Sequence, residues 1–365
     1  MKNLLLILFL TVSVQVSAQT VFTDSLETTV VKIYRQDIDF YNVLDSIEYQ
    51  NLSMRYETAK KYAYDPYGTT INYFLKVRVD RTNRESAIAS LIRSYYYYPK
   101  TYTQLKKKSK SSLNKLISNT VRDFNSLLKE PVKPPKYYIT VGAFKGGVCE
   151  FRNDFIIPLE FLTYPSVDSI SFADSTLKQT AINEKMLPFY LSMNLAGSNL
   201  SDPNSFSLNK LNPFSSKGYI SVQKFWSFVT FEKKPERAFN FGQNNLADDC
   251  IKSGIALYVA EKANPDGFKE FKKRIFFDSK ASNETQLWKE LLPLMKSTDE
   301  PVKSAYISME SGMKSKYIML GGYFGYKIIS DYMEKSKATL DELLGESDYE
   351  KMYSESGWKE KETHE

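Results

Sequence analysis

The chain offers few residues that could hold a catalytic metal or activate a nucleophile. It has one histidine among its 365 residues, and this is His364, next to the last position. A zinc site of the H-E-x-x-H kind needs two histidines one helical turn apart, so no register of this sequence supplies the pair. Ser253 has no histidine to deprotonate it, and its neighbour Lys252 would project from a different face of a helix. The sequence therefore predicts no metal, no cofactor and no catalytic residue.

The two cysteines, Cys149 and Cys250, are too few to form a disulfide scaffold. A hydrophobic core must therefore hold the fold together. In an oxidising compartment they could pair with each other, or they could remain two separate buried thiols. Both alternatives stay open on the sequence alone. The cysteines lack the C-x-x-C spacing and the nearby histidines of a zinc site.

The N-terminus has the three parts of a secretory signal peptide. Lys2 precedes an apolar run over Leu4–Leu10, and small residues follow at Val16–Ala18. We expect export to the periplasm or the cell exterior, with cleavage after Ala18. No cysteine follows that site, so we expect no lipid anchor there. No other segment has the roughly 20 apolar residues of a membrane-spanning helix.

The charge balance does not indicate nucleic-acid binding. Without Lys2, 48 of the 49 basic side chains remain against 43 acidic ones, a small excess for this length. The one basic run, Lys106–Lys108 with Lys110, has no aromatic residues between its lysines. We interpret it as the solvated face of a helix.

Hydrophobic periodicity predicts a helical N-terminal region over 19–135, after a signal peptide over 1–18. Apolar residues between Val30 and Leu44 recur at intervals of three and four, which is typical of an amphipathic helix. Prolines over 130–135 indicate a linker, because proline cannot donate a backbone hydrogen bond.

An α+β region is predicted over 136–356, followed by a frayed tail over 357–365. Runs rich in β-branched and aromatic residues predict three strands. Small and polar residues over 194–218 indicate a long surface loop. The predicted strands are Tyr137–Val141, Val148–Phe151 and Phe155–Phe161, and the predicted helices are Leu246–Ala263 and approximately 267–277, 284–296, 317–335 and 338–345.

Several segments, in this order and spacing, resemble a bacterial family of secreted zinc-dependent proteases of the zincin class. They also resemble a family of degenerate zincins that includes a gliding-motility lipoprotein. The segments are Gln36–Tyr41, Tyr138–Gly142, Ile156–Phe161, Cys250–Ala256, Leu287–Glu290 and Gly322–Ile328. The resemblance implies a zincin-like α+β fold. A helical N-terminal part would lead into a small mixed sheet, a degenerate active-site helix and a helical C-terminal part.

The resemblance also implies where the zinc ligands have been replaced. Phe231 and Pro235 stand at the two histidine positions, Glu232 at the general-base position and Ser253 at the position of the third ligand. Pro235 would kink or end that helix, because proline removes a helical hydrogen bond. We interpret Glu232 as a solvated helix carboxylate rather than a catalytic base.

Three further residues are candidates for lining the former cleft. Glu160 ends a predicted strand, where a solvated charge fits better than an acid catalyst. Tyr323 and Tyr326 flank a Gly-x-x-Gly helix, and they could line the cleft or pack in the helix core. Phe231 would either give the cleft an apolar floor or seal it as core.

The sequence therefore predicts a secreted, non-catalytic pseudo-metalloprotease that binds a peptide or protein partner. One alternative is a structural component of a cell-envelope machine, which the gliding-motility resemblance suggests. A second is a residual hydrolase or metallopeptidase with a non-standard site. A third is glycan binding by the aromatic residues, which form 14% of the chain. The sequence identifies neither the partner nor the oligomeric state.

Overall fold

The structure is a computed structural model that describes most of the chain after the predicted signal peptide. The chain divides into two compact units, one drawn from Met1–Ser118 and Pro134–Ile182, the other from Asn119–Lys133 and Asn183–Glu365. The described residues are 19–26, 29–47, 51–80, 82–109, 112–145, 147–200, 244–274, 284–307 and 319–358, with only the backbone of residues 175, 176, 179 and 274.

A five-stranded mixed sheet forms the centre of the first unit, in the order β1-β2-β3-β5-β4. The three inner strands run parallel, and the two edge strands pair antiparallel with their neighbours. The prediction of an α+β fold is confirmed, while its zincin-like character stays a prediction. The strands are β1 (Val21–Ser25), β2 (Val30–Arg35), β3 (Lys136–Thr140), β4 (Cys149–Phe151) and β5 (Asp154–Pro158).

The prediction that one helix covers Val30–Leu44 is wrong in its first half. Residues Val30–Arg35 form β2, and the helix begins only at Gln36. Val31 and Ile33 are fully buried, whereas Val30 before them and Lys32 between them are exposed. This alternation is the period-two pattern of a strand with one buried face. β1 also replaces the start of the predicted helical region.

The remaining elements of the first unit are mostly helical. Single π-helical turns at Lys60–Tyr64 and Leu75–Val79 extend α2 and α3. Pro99 separates α4 from α5, where it begins the new helix without losing a hydrogen bond. The helices are α1 (Gln36–Ser46), α2 (Leu52–Ala59), α3 (Gly68–Phe74), α4 (Arg84–Tyr97), α5 (Pro99–Ser109), α6 (Leu113–Asn125, which spans the division between the units) and α7 (Ser175–Thr180).

A buried ion pair holds the junction between β2 and α1. The Arg35 guanidinium donates from Nε and Nη2 to the two carboxylate oxygens of Asp37, at 2.9 and 2.8 Å. It also donates to Asn114 Oδ1 at 2.9 Å. Burial raises the pKa of Asp37, against the opposing effect of the Arg35 hydrogen bonds. Two hydrogen bonds in a fork fix the direction in which α1 leaves the sheet.

The second unit is helical throughout its described part. Leu246–Ala263 matches the prediction, and the other C-terminal helices lie close to their predicted bounds. The predicted loop over 194–218 is wrong at its start, because the helix that begins at Leu187 continues to Ser198; residues 201–218 lie outside the described part. The helices are α8 (Leu187–Ser198), α9 (Leu246–Ala263), α10 (Pro265–Arg274), α11 (Glu284–Leu291), α12 (Glu300–Ile307), α13 (Leu320–Ser336), α14 (Leu340–Gly345) and α15 (Tyr349–Glu355).

Candidate functional site

The predicted site residues fall into three groups in the structure. Phe231, Glu232 and Pro235 lie outside the described residues, so the replacement of the two histidine ligands stays a prediction. Ser253, Tyr323 and Tyr326 belong to the second unit, on α9 and α13. Glu160 belongs to the first unit, directly after β5.

Helix α9, which carries Ser253, is the central helix of the second unit. It packs against α8 and α13 along its length, and against α10, α12 and α14 more locally. Asn245 caps its start, accepting from the Asp248 backbone N–H while the Asp248 side chain accepts from the Asn245 N–H. Ser253 is 3% exposed on this helix. Its hydroxyl is therefore part of a packed interior.

Helices α9 and α13 touch backbone to backbone. A Cβ atom on Gly254 would lie 2.2 Å from the carbonyl carbon of Gly325, and one on Gly325 would lie 1.8 Å from the carbonyl oxygen of Cys250. Gly321, one turn before Gly325, would bring a Cβ within 2.8 Å of the Cys250 Sγ atom. Small residues at these positions allow the close approach. The signal in the sequence is the four-residue spacing of Gly321 and Gly325, which the interpretation of the flanking tyrosines did not use.

Tyr326 is anchored to α9 and α10. Its hydroxyl donates to Glu261 Oε2 at 2.8 Å, and its ring lies 5.1 Å from the ring of Phe268. Burial raises the pKa of Tyr326, and the hydrogen bond to the Glu261 carboxylate adds to the effect. The half-buried tyrosine on α13 therefore contacts both α9 and α10, and its hydroxyl is hydrogen-bonded to a carboxylate.

Tyr323, also on α13, contacts the first residue of α11, Glu284. Its hydroxyl donates to Glu284 Oε2 at 3.4 Å, and Lys327 forms an ion pair with Oε1 of the same carboxylate. The Lys327 ammonium lies 5.7 Å from the centre of the Tyr323 ring and 6.0 Å from that of Trp358. Tyr323 and Tyr326 thus both contact neighbouring helices, and their place at the former cleft stays a prediction.

A buried lysine that the sequence analysis missed holds the start of α9. The Lys303 side chain, 2% exposed, lies 3.3 Å from Asp249 Oδ2 and 2.8 Å from Glu300 Oε1. It also donates to the backbone oxygen of Asn244 at 2.9 Å. Burial lowers the pKa of Lys303, but the hydrogen bond to Glu300 and the charge of Asp249 outweigh it, so the net shift is upward. Lysine is rarely buried unless it is paired.

The interpretation of Glu160 as a solvated charge at a strand end is wrong. The residue is fully buried in a short 3₁₀ turn, Leu159–Leu162. Its Oε1 accepts hydrogen bonds from the backbone N–H groups of Gly142 and Phe144, the latter at 3.0 Å. Burial raises the pKa of Glu160 to about 7, against the effect of these hydrogen bonds. The apolar residues on both sides of Glu160 were the signal for burial.

Glu160 stabilises an unusual turn after β3. Ala143 and Phe144 both have positive φ angles, of 54° and 58°. Non-glycine residues rarely adopt this conformation without support. A Cβ on Gly142 would lie 2.7 Å from Glu160 Oε1 and 2.7 Å from Phe74 Cζ, so a glycine is needed for the carboxylate to reach the backbone. The role of Glu160 is therefore structural, within the first unit.

Both cysteines are buried in the structure, Cys149 in the first unit and Cys250 in the second, and their pairing stays a prediction. The Cys250 sulfur lies 3.9 Å from Met295 Sδ, and burial raises the pKa of its thiol. A thiol is nucleophilic as its thiolate, so burial makes Cys250 inert.

Over the described part of the chain, no group of three or more His, Cys, Asp or Glu side chains could hold a metal ion. Among the described helices, none is long and apolar enough to cross a membrane.

Comparison with known families relates the C-terminal part of the chain to gliding-motility proteins. Residues 221–360 match the family described as Gliding motility protein GldB. This is less than half of the chain, and the matched stretch contains α9–α15. No curated protein and no solved structure matches. The gliding-motility side of the resemblance is thus supported, and the protease side gains no support.

Proposed function

We propose that the protein is a non-catalytic component of a cell-envelope machine of the gliding-motility type, and that it works by binding other proteins. The observation that carries this proposal is the match of residues 221–360 to the gliding-motility family. The N-terminal signal supports an exported, envelope-associated location. The envelope-component alternative is therefore preferred to an independent secreted pseudo-protease.

The side chains of the matched region support a binding role over a catalytic one. Ser253 is buried in α9, and the Tyr326 hydroxyl is engaged by Glu261. A hydrolase needs a nucleophile next to a base, or a metal with an open position. The one histidine of the chain, His364, cannot supply a pair of imidazole ligands.

Deletion of the gene in its own bacterium tests the proposal. We expect loss or strong reduction of single-cell movement over a surface, restored by the wild-type gene. Affinity capture of the mature protein from detergent-treated envelopes should recover a constant set of envelope proteins. Unchanged movement in the deletion strain, together with capture of no envelope protein, would refute the proposal.

Two neighbouring substitutions separate binding from catalysis. Glu232→Gln keeps the shape of the side chain but removes its capacity as a base. If the protein is not a catalyst, a gene with this substitution should restore full movement to the deletion strain. Phe231→Asp introduces a charge at a position that we propose contacts the partner, so it should weaken capture while circular dichroism remains unchanged. Failure of Glu232→Gln to restore movement, in a folded protein, would favour a residual hydrolase. If the folded Phe231→Asp variant captures envelope proteins as well as the wild type does, the partner binds a surface that does not include Phe231.

A further inference from the structure

A cluster of buried polar atoms surrounds Glu160 in the first unit, and it is independent of the proposed function. Glu160 uses Oε1 to accept from the Gly142 and Phe144 backbone, and its Oε2 atom has no hydrogen-bond partner among the described residues. The hydroxyl of Tyr41, on α1, is likewise buried without a partner among them. Glu160 and Tyr41 are 0% and 2% exposed.

Ring contacts connect Tyr41 to the turn that Glu160 supports. The Tyr41 ring lies 6.5 Å from that of Tyr95, which lies 5.6 Å from the ring of Tyr102. The Tyr102 ring meets the Phe144 ring edge to face at 5.7 Å, and the Phe144 N–H donates to Glu160. Helix α5, which carries Tyr102, packs on the Leu159–Leu162 turn. The tyrosines and Glu160 therefore share one interior region.

Electrostatic effects agree with this placement. Burial raises the pKa of Tyr41, and the charge of Glu160 is the next largest cause, followed by the charges of Tyr102, Asp37 and Tyr95. Burial and then Glu160 also raise the pKa of Tyr102. Asp174 acts on the pKa of Glu160 in the same direction as burial. The charge of Glu160 therefore acts on both tyrosines in a medium that screens little.

We propose that Glu160 Oε2 and the Tyr41 hydroxyl bind internal water, as a site built into the first unit. A buried polar atom left without a partner destabilises the fold, so two such atoms in one region favour a bound molecule that satisfies both. Water is the ligand class that fits, because the surrounding side chains leave almost no exposed surface through which a larger molecule could enter. Internal water makes two to four hydrogen bonds to groups of this kind.

The water would complete the hydrogen bonding of the turn. With Oε1 occupied by two N–H donors, a proton on Glu160 resides on Oε2 and is donated to the water. The water then donates to the Tyr41 oxygen. After deprotonation Oε2 becomes an acceptor and the water reorients, so the site serves both states of the carboxyl group.

A crystal structure at a resolution that shows ordered water, from crystals grown near pH 6, tests the proposal directly. We expect a water oxygen within hydrogen-bond distance of Glu160 Oε2 and of the Tyr41 hydroxyl. Magnetic relaxation dispersion of water nuclei should show at least one fewer long-lived internal water in Tyr41→Phe than in the wild type.

Tyr137→Phe is the matched control, because it removes another fully buried hydroxyl of the first unit that has no hydrogen-bond partner among the described residues. In its crystal structure the water at Glu160 should remain. The proposal is overturned if Glu160 Oε2 bonds directly to a protein group, or if no water density lies beside it. The wild-type crystal decides the matter even if Tyr41→Phe does not fold.

Discussion

Gly254 of α9 and Gly325 of α13 lie in direct backbone contact, so close that neither position can accept a side chain. The distance from an added Gly254 Cβ to the Gly325 carbonyl carbon would be 2.2 Å. Backbone atoms cannot rotate away as a flexible side chain does. The two helices would have to separate along their whole contact to admit one methyl group.

Gly325→Ala should therefore destabilise the second unit strongly. An overpacked core typically costs about 1–3 kcal/mol, and this site should lie at the upper end because the clash is with backbone. Urea unfolding followed by circular dichroism measures the change. Gly345→Ala is the control, since a Cβ there would meet nothing within 4 Å, and its stability should stay close to that of the wild type. Equal stability of the two variants would contradict the close contact.

The buried Glu160 should make the folded state less stable as the pH rises from about 5 to 8. Its pKa of about 7 lies above the ordinary value of 4.5, so the folded state holds its proton longer than the unfolded chain does. The stabilisation is complete below pH 4.5 and is lost as the pH rises through 7, by about 3 kcal/mol at most. Glu160→Gln should flatten this part of the profile. Parallel profiles for the wild type and the variant would exclude this role of Glu160.

Lys303→Met should destabilise the start of α9 by about 3 kcal/mol, because it removes the positive charge that faces the buried Asp249 carboxylate. Chemical unfolding monitored by tryptophan fluorescence measures the loss. Lys273→Met is the control: its pair with Glu270 has side chains 61% and 36% exposed, and exposed pairs contribute little. A loss in Lys303→Met no greater than in this control would show that the buried pair contributes little.

The mature protein should begin at Gln19. Cleavage after Ala18 is a prediction from the sequence; in the structure the Thr20 N–H donates to Asp39 Oδ2 at 3.1 Å. The Gln19 side chain also donates to the Pro66 oxygen. Mass spectrometry of the N-terminal peptide from the envelope fraction decides the question. Detection of an intact Met1 in that material would show that the segment is retained.

The purified protein should contain no stoichiometric zinc and should not cleave peptides. The physical reason is the lack of a histidine pair, with His364 as the one histidine of the chain. Elemental analysis and a broad peptide-hydrolysis assay with and without a chelator measure both properties. Equimolar zinc together with chelator-sensitive hydrolysis would restore the metallopeptidase alternative.

Secondary structure follows from the sequence wherever one hydrophobic period dominates. Leu246–Ala263 is predictable to its ends, because its apolar residues repeat at helical intervals and a capping residue and an Asn-Pro boundary flank it. The β3 strand is recognisable from its aromatic and β-branched run. The amino-acid composition also excludes a zinc site built on a histidine pair, because His364 has no second histidine to act with it.

Long-range packing selects among the structures that periodicity leaves ambiguous. The apolar residues of Val30–Arg35 fit both the three-to-four-residue repeat of a helix and the two-residue repeat of a strand. The parallel pairing of this segment with β3, more than a hundred residues away, selects the strand. Likewise, Glu160 and Lys303 are charged residues that propensity places at the surface. Each is buried because distant segments supply its partners, the Gly142–Phe144 turn for one and Asp249 for the other. Such partners depend on which elements pack together, and a local pattern of residues does not contain that information.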